Sequence, residues 1–393
     1  MAIRLLTFTT LYPDSTRPTH GIFVENRLRH LLGGGRVESR VVAPVPWFPS
    51  TARMFGEYAR FAAVPRRETR HGIDVLHPRY LLVPKFGMTV APFLMAAALR
   101  PVLRRIIRDG YDFDILDAHY FYPDGVAAVM LGRHFGKPVV ITARGTDINL
   151  IPRYYFARRR IQWAARHAAV LITVCQALKD ALVQLGANSD KITVLRNGVD
   201  LELFKPPPDR KALRKELGIT GKTLLSVGNL ISTKGHDLVI RALTELPGVR
   251  LMIAGQGPEE ANLKRLAASL KVAGQVAFLG SIEHAALPQY YGASDALVLA
   301  SAREGWPNVL LESLACGTPV ITTRAGASTE IVNQPETGLV LEERSVSSLI
   351  RGISMLLACY PERALVRKHA ERFSWDETTA GQVRLFSRLI TEA

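Results

Sequence analysis

The chain has 393 residues, 48% of them hydrophobic, more than one core usually organises and enough for two domains of about 150–200 residues that each bury their own. Its three cysteines, Cys175, Cys316 and Cys359, are widely spaced, which excludes a disulfide framework and a zinc site and fits a reducing, cytoplasmic compartment. Lysine and arginine number 50 against 35 acids, a net charge of +15; an anionic partner is expected, and charge alone does not choose among nucleic acid, anionic phospholipid and a nucleotide.

The first segment, Met1-Ala2-Ile3-Arg4-Leu5-Leu6-Thr7-Phe8, has too short an apolar core for a signal peptide and reads as a strand. Apolar runs at 37–42, 115–118, 138–142, 170–174 and 192–195 then alternate with helical stretches, the pattern of successive strand–helix–strand units in a Rossmann-like α/β domain. The longest apolar stretch, 88–99, is interrupted by Pro92 and falls short of the about 20 residues a membrane span needs. Arg100, Arg104, Arg105 and Arg108, and again Arg153, Arg158, Arg159, Arg160 and Arg166, are interleaved with Leu, Ile, Tyr, Phe and Trp. These are basic amphipathic helices of the kind that lie on an anionic membrane surface, and an ordinary solvated face fits them equally well.

A proline cluster at 204–208 breaks the pattern and reads as a stiff connector. Strands at 223–227, 249–254, 276–279, 296–300 and 320–322 follow, giving a second doubly wound sheet. The expected boundaries are 1–200 for the first domain, 201–208 for the linker, 209–375 for the second domain and 376–393 for a last helix. In open α/β sheets ligands sit beyond the carboxyl ends of the strands, so the loops there carry the candidate residues.

One such loop follows the run 296–300, which suits a buried parallel strand. Pro307 suits the first turn of a helix, so Glu304 falls on the strand-to-helix loop. Val309, Leu310, Leu311 and Leu314 continue to a Gly317-Thr318-Pro319 stop, which puts Glu312 in the second turn. A helix N-terminus attracts phosphate and a carboxylate accepts from vicinal hydroxyls, so sugar plus phosphate is the implied ligand. Either glutamate alone would read as a solvated helix-end charge.

The full run, Glu304-Gly305-Trp306-Pro307-Asn308-Val309-Leu310-Leu311-Glu312 with the trailing Ala315-Cys316-Gly317-Thr318-Pro319-Val320, closely resembles the signature of family 4 retaining glycosyltransferases. The resemblance extends over nearly the whole chain. It implies the GT-B fold, two Rossmann-like doubly wound domains facing a central cleft that holds the site, with the last helix crossing back to the first domain. It also implies that Glu304 contacts the transferred hexose and Glu312 holds the nucleotide ribose, while Gly305, Trp306, Pro307, Asn308, Val309 and Leu310 complete the donor site.

Other segments fit the same family. Gly228-Asn229-Leu230-Ile231-Ser232-Thr233-Lys234-Gly235 resembles its diphosphate loop, with Gly228 permitting close backbone approach and Lys234 neutralising charge on the departing nucleoside diphosphate. The family commonly has Arg where Asn229 stands, so Arg144 or Arg303 is the expected second cation. Gly255 opens the turn Gly255-Gln256-Gly257-Pro258, which either shapes the floor of the donor pocket or is turn chemistry alone. The stretch 278–282 resembles the one that reads the nucleobase. In the first domain, His119 resembles the histidine that orients the donor hexose, and Arg144 and Asp147, in Thr142-Ala143-Arg144-Gly145-Thr146-Asp147, are the acceptor-side candidates. The loop 11–21 lacks the doubled glycine frequent in the family, and His20-Gly21 is the nearest equivalent, with Gly21 toward the donor.

The expected reaction is therefore a retaining, metal-independent transfer of a hexose from a nucleotide sugar, UDP- or GDP-linked, to a hydroxyl of a lipid-linked or cell-surface saccharide. The nucleotide sugar is substrate, and no cofactor is called for. A donor phosphate oxygen takes the acceptor proton, so no protein base is named. A soluble small-molecule acceptor is the first alternative. A sugar-nucleotide epimerase or phosphorylase on the same fold is disfavoured by the Glu304/Glu312 run, and a nucleic-acid-binding protein by the lack of any reader motif. The basic helices fit peripheral association with the inner membrane face.

Overall fold

A computed structural model describes residues 2–82 and 87–391. The chain divides into two compact units, Met1–Arg196 with Asp376–Ala393, and Asn197–Trp375. The first contains β1 Ile3–Phe8, β2 Val37–Val42, β3 Val45–Pro46, β4 Arg67–Arg70, β5 Ile73–Leu76, β6 Arg79–Tyr80, β7 Ile115–His119, β8 Val139–Ala143, β9 Val170–Thr173 and β10 Ile192–Val194. Eight of these form one sheet in the order β10-β9-β8-β7-β1-β2-β5-β4, and β3 pairs with β6 apart from it. Pairing is parallel except in the β4–β5 hairpin. The central strands β7, β8 and β9 are buried at every position, as parallel strands covered on both faces must be, and so they read as apolar runs. Edge strand β4, Arg-Glu-Thr-Arg, has no such run and escapes the sequence pattern.

The second unit is a single parallel sheet of β11 Lys222–Val227, β12 Val249–Ala254, β13 Val276–Gly280, β14 Ala296–Leu299, β15 Val320–Thr323 and β16 Gly338–Leu341, in the order β13-β12-β11-β14-β15-β16. Its core gathers Leu224, Leu251, Ile253, Val298 and Ile321 with helix residues such as Ile240 and Ile353. In each unit the strand order switches direction at the middle of the sheet, between β1 and β7 in the first and between β11 and β14 in the second. Loops leaving the two strands at such a point diverge to opposite faces and leave a crevice at the carboxyl ends.

One expected boundary needs revision. The 201–208 segment is no free connector but is folded into the second unit. Phe204 is 1% exposed, its ring stands 5.1 Å from that of His284, and its carbonyl accepts from Arg367 at 2.6 Å. The last helix, Trp375–Thr391, is packed into the first unit although it follows the second in sequence. Its Val383, Leu385 and Phe386 join the cluster of Leu5, Val24 and Leu28, and Gln382 accepts from buried Arg27 Nε at 2.9 Å. The stretch 88–99 lies within one helix, Gly87–Arg108, and no helix among the described residues is long and apolar enough to cross a membrane.

Candidate active site

In the second unit the candidate residues flank the reversal point. After β11 the chain turns at Gly228 with φ +149°, a conformation that favours glycine. A Cβ on Gly255, at the end of β12, would stand 1.9 Å from the Gly228 carbonyl oxygen, so these two turns lie backbone against backbone. The loop then runs through the short turn Ser232–Lys234 to Gly235, where φ is +73° and a Cβ would meet the Ala300 carbonyl at 2.1 Å. That contact presses the β11 loop onto the end of β14. Ala302 N–H donates to Thr233 O at 2.8 Å and fixes the register.

The two loops thereby bring Lys234 to Glu304. The Lys234 stem lies over Gly228, and its Nζ donates to Glu304 Oε1 at 2.6 Å. The side chains keep 23% and 12% of their exposure, so the pair is screened but reachable. An ammonium has three donors, and one of them is committed to Glu304. Behind the loop, His236 is 2% exposed. Its Nε2 faces the Asn229 carbonyl at 3.3 Å and therefore donates, which leaves Nδ1 to accept from Ser226 Oγ at 2.9 Å. Burial pushes its pKa down to about 4, so His236 is a neutral brace for the loop.

Helix Asn308–Ala315 starts after Pro307 without a side-chain cap. On its second turn Glu312 is held from two sides. Oε2 accepts from Tyr291 Oη at 2.8 Å, and Oε1 lies 3.3 Å from His284 Nε2. Tyr291 is fully buried, and its burial next to the Glu312 carboxylate pushes the phenol pKa well up. Neither partner was singled out from sequence, because nothing in the spacing of Tyr291 or His284 marks them off from ordinary helix and turn residues.

Two expected donor contacts are corrected. Leu310 is fully buried and its N–H donates to Pro307 O at 3.0 Å, so it presents neither side chain nor amide. Trp306 is 7% exposed with its ring 6.1 Å from that of Phe373, so the indole anchors the loop from below. Gly305 likewise serves the loop, its carbonyl accepting from Ala327 N–H at 3.1 Å. Asn308 and Val309 are half-buried, whereas Asn229 and Arg303 are exposed. Asn308 Oδ1 accepts from Asn197 Nδ2 at 3.4 Å.

In the first unit the loops after β1 and β7 are joined by Thr9 Oγ1, which donates to His119 O at 2.8 Å. His119 is 2% exposed. Its Nδ1 accepts from Arg144 at 2.5 Å, and its Nε2 lies 3.2 Å from Asp117 Oδ2. Rather than standing open to a sugar and to an acceptor or phosphate as expected, His119 and Arg144 engage each other, and Arg144 is itself 8% exposed with its guanidinium 5.4 Å over the Phe23 ring. Desolvation pushes the Arg144 pKa well down. Asp147 is corrected too. Fully buried, it accepts the backbone N–H of Phe121 at 2.8 Å, of Arg144 at 3.1 Å and of Gly145 at 2.7 Å, so it ties the loops together. Gly21, at φ +69°, packs so close that a Cβ would stand 2.3 Å from the Leu11 carbonyl, closing the first loop on itself.

The same architecture recurs in solved enzymes. Sucrose-phosphate synthase from Thermosynechococcus elongatus superposes with a TM-score of 0.79 at 19% identity, over 100% of both chains. Anabaena HepE in complex with UDP-glucose gives 0.74 at 19% identity, again over 100% of both. Fold and strand order thus define the class, the GT-B fold. In sequence, residues 209–373 match the model of glycosyl transferases group 1 and residues 79–203 that of glycosyltransferase family 4. The D-inositol 3-phosphate glycosyltransferase of Acidothermus cellulolyticus is 32% identical over 84% of this chain and 85% of its own. TuaC of Bacillus subtilis, a glycosyltransferase named for teichuronic acid biosynthesis, is 28% identical over 90% and 88%. The chain belongs to the group 1, family 4 glycosyltransferases.

Proposed function

We propose that this glycosyltransferase moves a hexose, with retention and without a metal ion, from a UDP- or GDP-linked donor to a hydroxyl of a lipid-linked or cell-surface saccharide at the inner membrane face. The observation that carries the donor side is the Lys234–Glu304 pair at the β11/β14 reversal point. There a carboxylate able to accept from sugar hydroxyls stands 2.6 Å from a cation able to meet a leaving diphosphate. Charge that grows on the leaving group in the transition state is met by the two remaining Lys234 donors, assisted by the start of helix Asn308–Ala315. Glu312, held by Tyr291, receives the ribose hydroxyls. Front-face attack lets a donor phosphate oxygen take the acceptor proton. The net charge of +15 and the likeness to TuaC support the acceptor class.

A second reading, a soluble sugar-phosphate acceptor, is favoured by the likeness to a D-inositol 3-phosphate glycosyltransferase. Thermal stabilisation by UDP, GDP, ADP and CMP, with chelator present, tests the donor side in the wild type and in Glu312→Ala. Stabilisation by one diphosphate that is lost in the variant supports the reading and names the base, and none by any of them overturns it. The anomeric configuration of the product, read by NMR, tests retention.

A further inference from the structure

The long helix Gly87–Arg108 carries no acidic residue over its 22 positions. Its buried stripe runs through Pro92, Met95, Ala96, Leu99, Leu103 and Ile106. The opposite stripe, at helical spacing, changes character along its length. It begins with Leu94, Ala97, Ala98 and Pro101 and ends with Arg104, Arg105 and Arg108. An outward helix face on a soluble protein is ordinarily polar throughout, so its apolar half calls for an explanation.

That half forms one wall of a groove of about 460 Å³, in which Leu94, Ala97 and Ala98 face Trp47, Tyr80 and Leu81. The volume falls within the about 300–1,000 Å³ of small-molecule sites. Arg79 also lines the groove, but its guanidinium is turned inward, donating to the carbonyls of His77 and Val64. The groove walls are therefore apolar, and Trp47 and Leu81 remain 51% and 58% exposed. On the same stripe the arginines begin at Arg104, six residues beyond Ala98 and about 9 Å along the axis at 1.5 Å per residue, with exposed Arg100 on the flank between them. Arg105 and Arg108 contact Asp109 at 3.4 and 3.8 Å, with arginine side chains 76% exposed, which are weak pairs that a phosphate can replace.

We propose that this groove binds the hydrocarbon chain of an anionic amphiphile, the lipid anchor of the acceptor, with its phosphate against Arg104 and Arg105. An apolar slot followed at fixed distance by a cationic patch complements a chain bearing a terminal phosphate, and neither free phosphate nor a neutral lipid uses both halves. The inference rests on the lipid-linked acceptor proposed above.

The test is calorimetric titration with dodecyl phosphate below its micellar concentration, alongside dodecyl maltoside and inorganic phosphate. Dodecyl phosphate binds at one site, and Ala98→Phe, which fills the groove, weakens it at least tenfold. Leu81→Gln on the facing wall weakens it in the same direction. Arg104→Gln with Arg105→Gln weakens dodecyl phosphate severalfold and leaves dodecyl maltoside unchanged. Unaltered binding in both Ala98→Phe and Leu81→Gln, or inorganic phosphate competing as well as dodecyl phosphate, overturns the proposal. Nucleotide stabilisation measured on the same samples separates the two readings. If it persists while amphiphile binding is absent, the groove proposal alone fails; if it is absent while the groove binds, the donor reading alone fails.

Discussion

Lys234 Nζ and Glu304 Oε1 are 2.6 Å apart across 70 residues of sequence, which couples the group assigned to the leaving diphosphate with the group assigned to the transferred sugar. Removing the ammonium leaves developing charge unmet, so Lys234→Ala lowers kcat by about 10²–10³, the usual loss for one preorganised donor. The donor KM changes less, because the charge grows after binding. Since the residues act as a unit, Lys234→Ala with Glu304→Gln costs less than the two single losses combined. Steady-state kinetics on the three variants checks this, and a change confined to KM would refute the assignment.

Glu312 owes its position to Tyr291, whose hydroxyl donates to Oε2 at 2.8 Å. Tyr291→Phe keeps the ring in its buried site and removes only the donor. A hydrogen bond to a charged group is worth about 1.5–3 kcal/mol, so nucleotide diphosphate affinity drops about tenfold or more while kcat is nearly kept. Titration calorimetry with the selected nucleotide gives the answer; a fall in kcat at unchanged affinity would contradict it.

His236 gives the second unit a pH dependence. Its folded pKa, about 4, lies below the unfolded value of about 6.5, so the unfolded chain binds the extra proton first as pH falls. Stability is complete above about pH 6.5 and is lost progressively toward pH 4, by up to about 3 kcal/mol. In the first unit, Asp124 acts with the opposite sign. Burial lifts its pKa to about 7, so its contribution is greatest at low pH and fades as pH rises toward 7. Denaturant unfolding of wild type and His236→Gln between pH 4 and 7 should show the shallower slope in the variant; equal slopes would remove His236 from the account.

Gly235 is the joint between the β11 loop and β14. With φ at +73° and a Cβ meeting the Ala300 carbonyl at 2.1 Å, Gly235→Ala must displace the loop that carries Lys234. A strained residue of this kind costs about 1–3 kcal/mol, and donor turnover falls with it because Lys234 loses its register on Glu304. Thermal unfolding and activity measured together check it, and wild-type values in both would show that the loop adapts.

Much of this architecture was readable in advance for a simple reason. Strands β8, β9, β12 and β14 are central, covered on both faces and therefore rich in apolar residues, while edge strand β4, Arg-Glu-Thr-Arg, carries no such run. The Glu304 to Glu312 run was legible because loop, helix start and both carboxylates are contiguous. Leu310 turns to the buried side of helix Asn308–Ala315 and Trp306 packs under the loop before it against Phe373, because membership of such a run does not tell which way a side chain points. His119 and Arg144, which the sequence pattern offers to a ligand, engage each other in the fold, and Asp147 is taken up by backbone N–H groups.

The sequence by itself determined two largely parallel sheets and the loops that carry the candidate residues, since both follow from local composition and contiguous spacing, and the resemblance of one contiguous run to a known signature pointed to the family. Only the tertiary structure decided who meets whom: Lys234 with Glu304, Tyr291 and His284 with Glu312, Arg144 with His119, and the last helix with the first unit. The physical reason is that strand order, not chain order, sets neighbours. β11 and β14 are adjacent because the crossover after β13 returns the chain to the middle of the sheet, and a hydrogen bond is sensitive to ångströms that no pattern of residue types encodes.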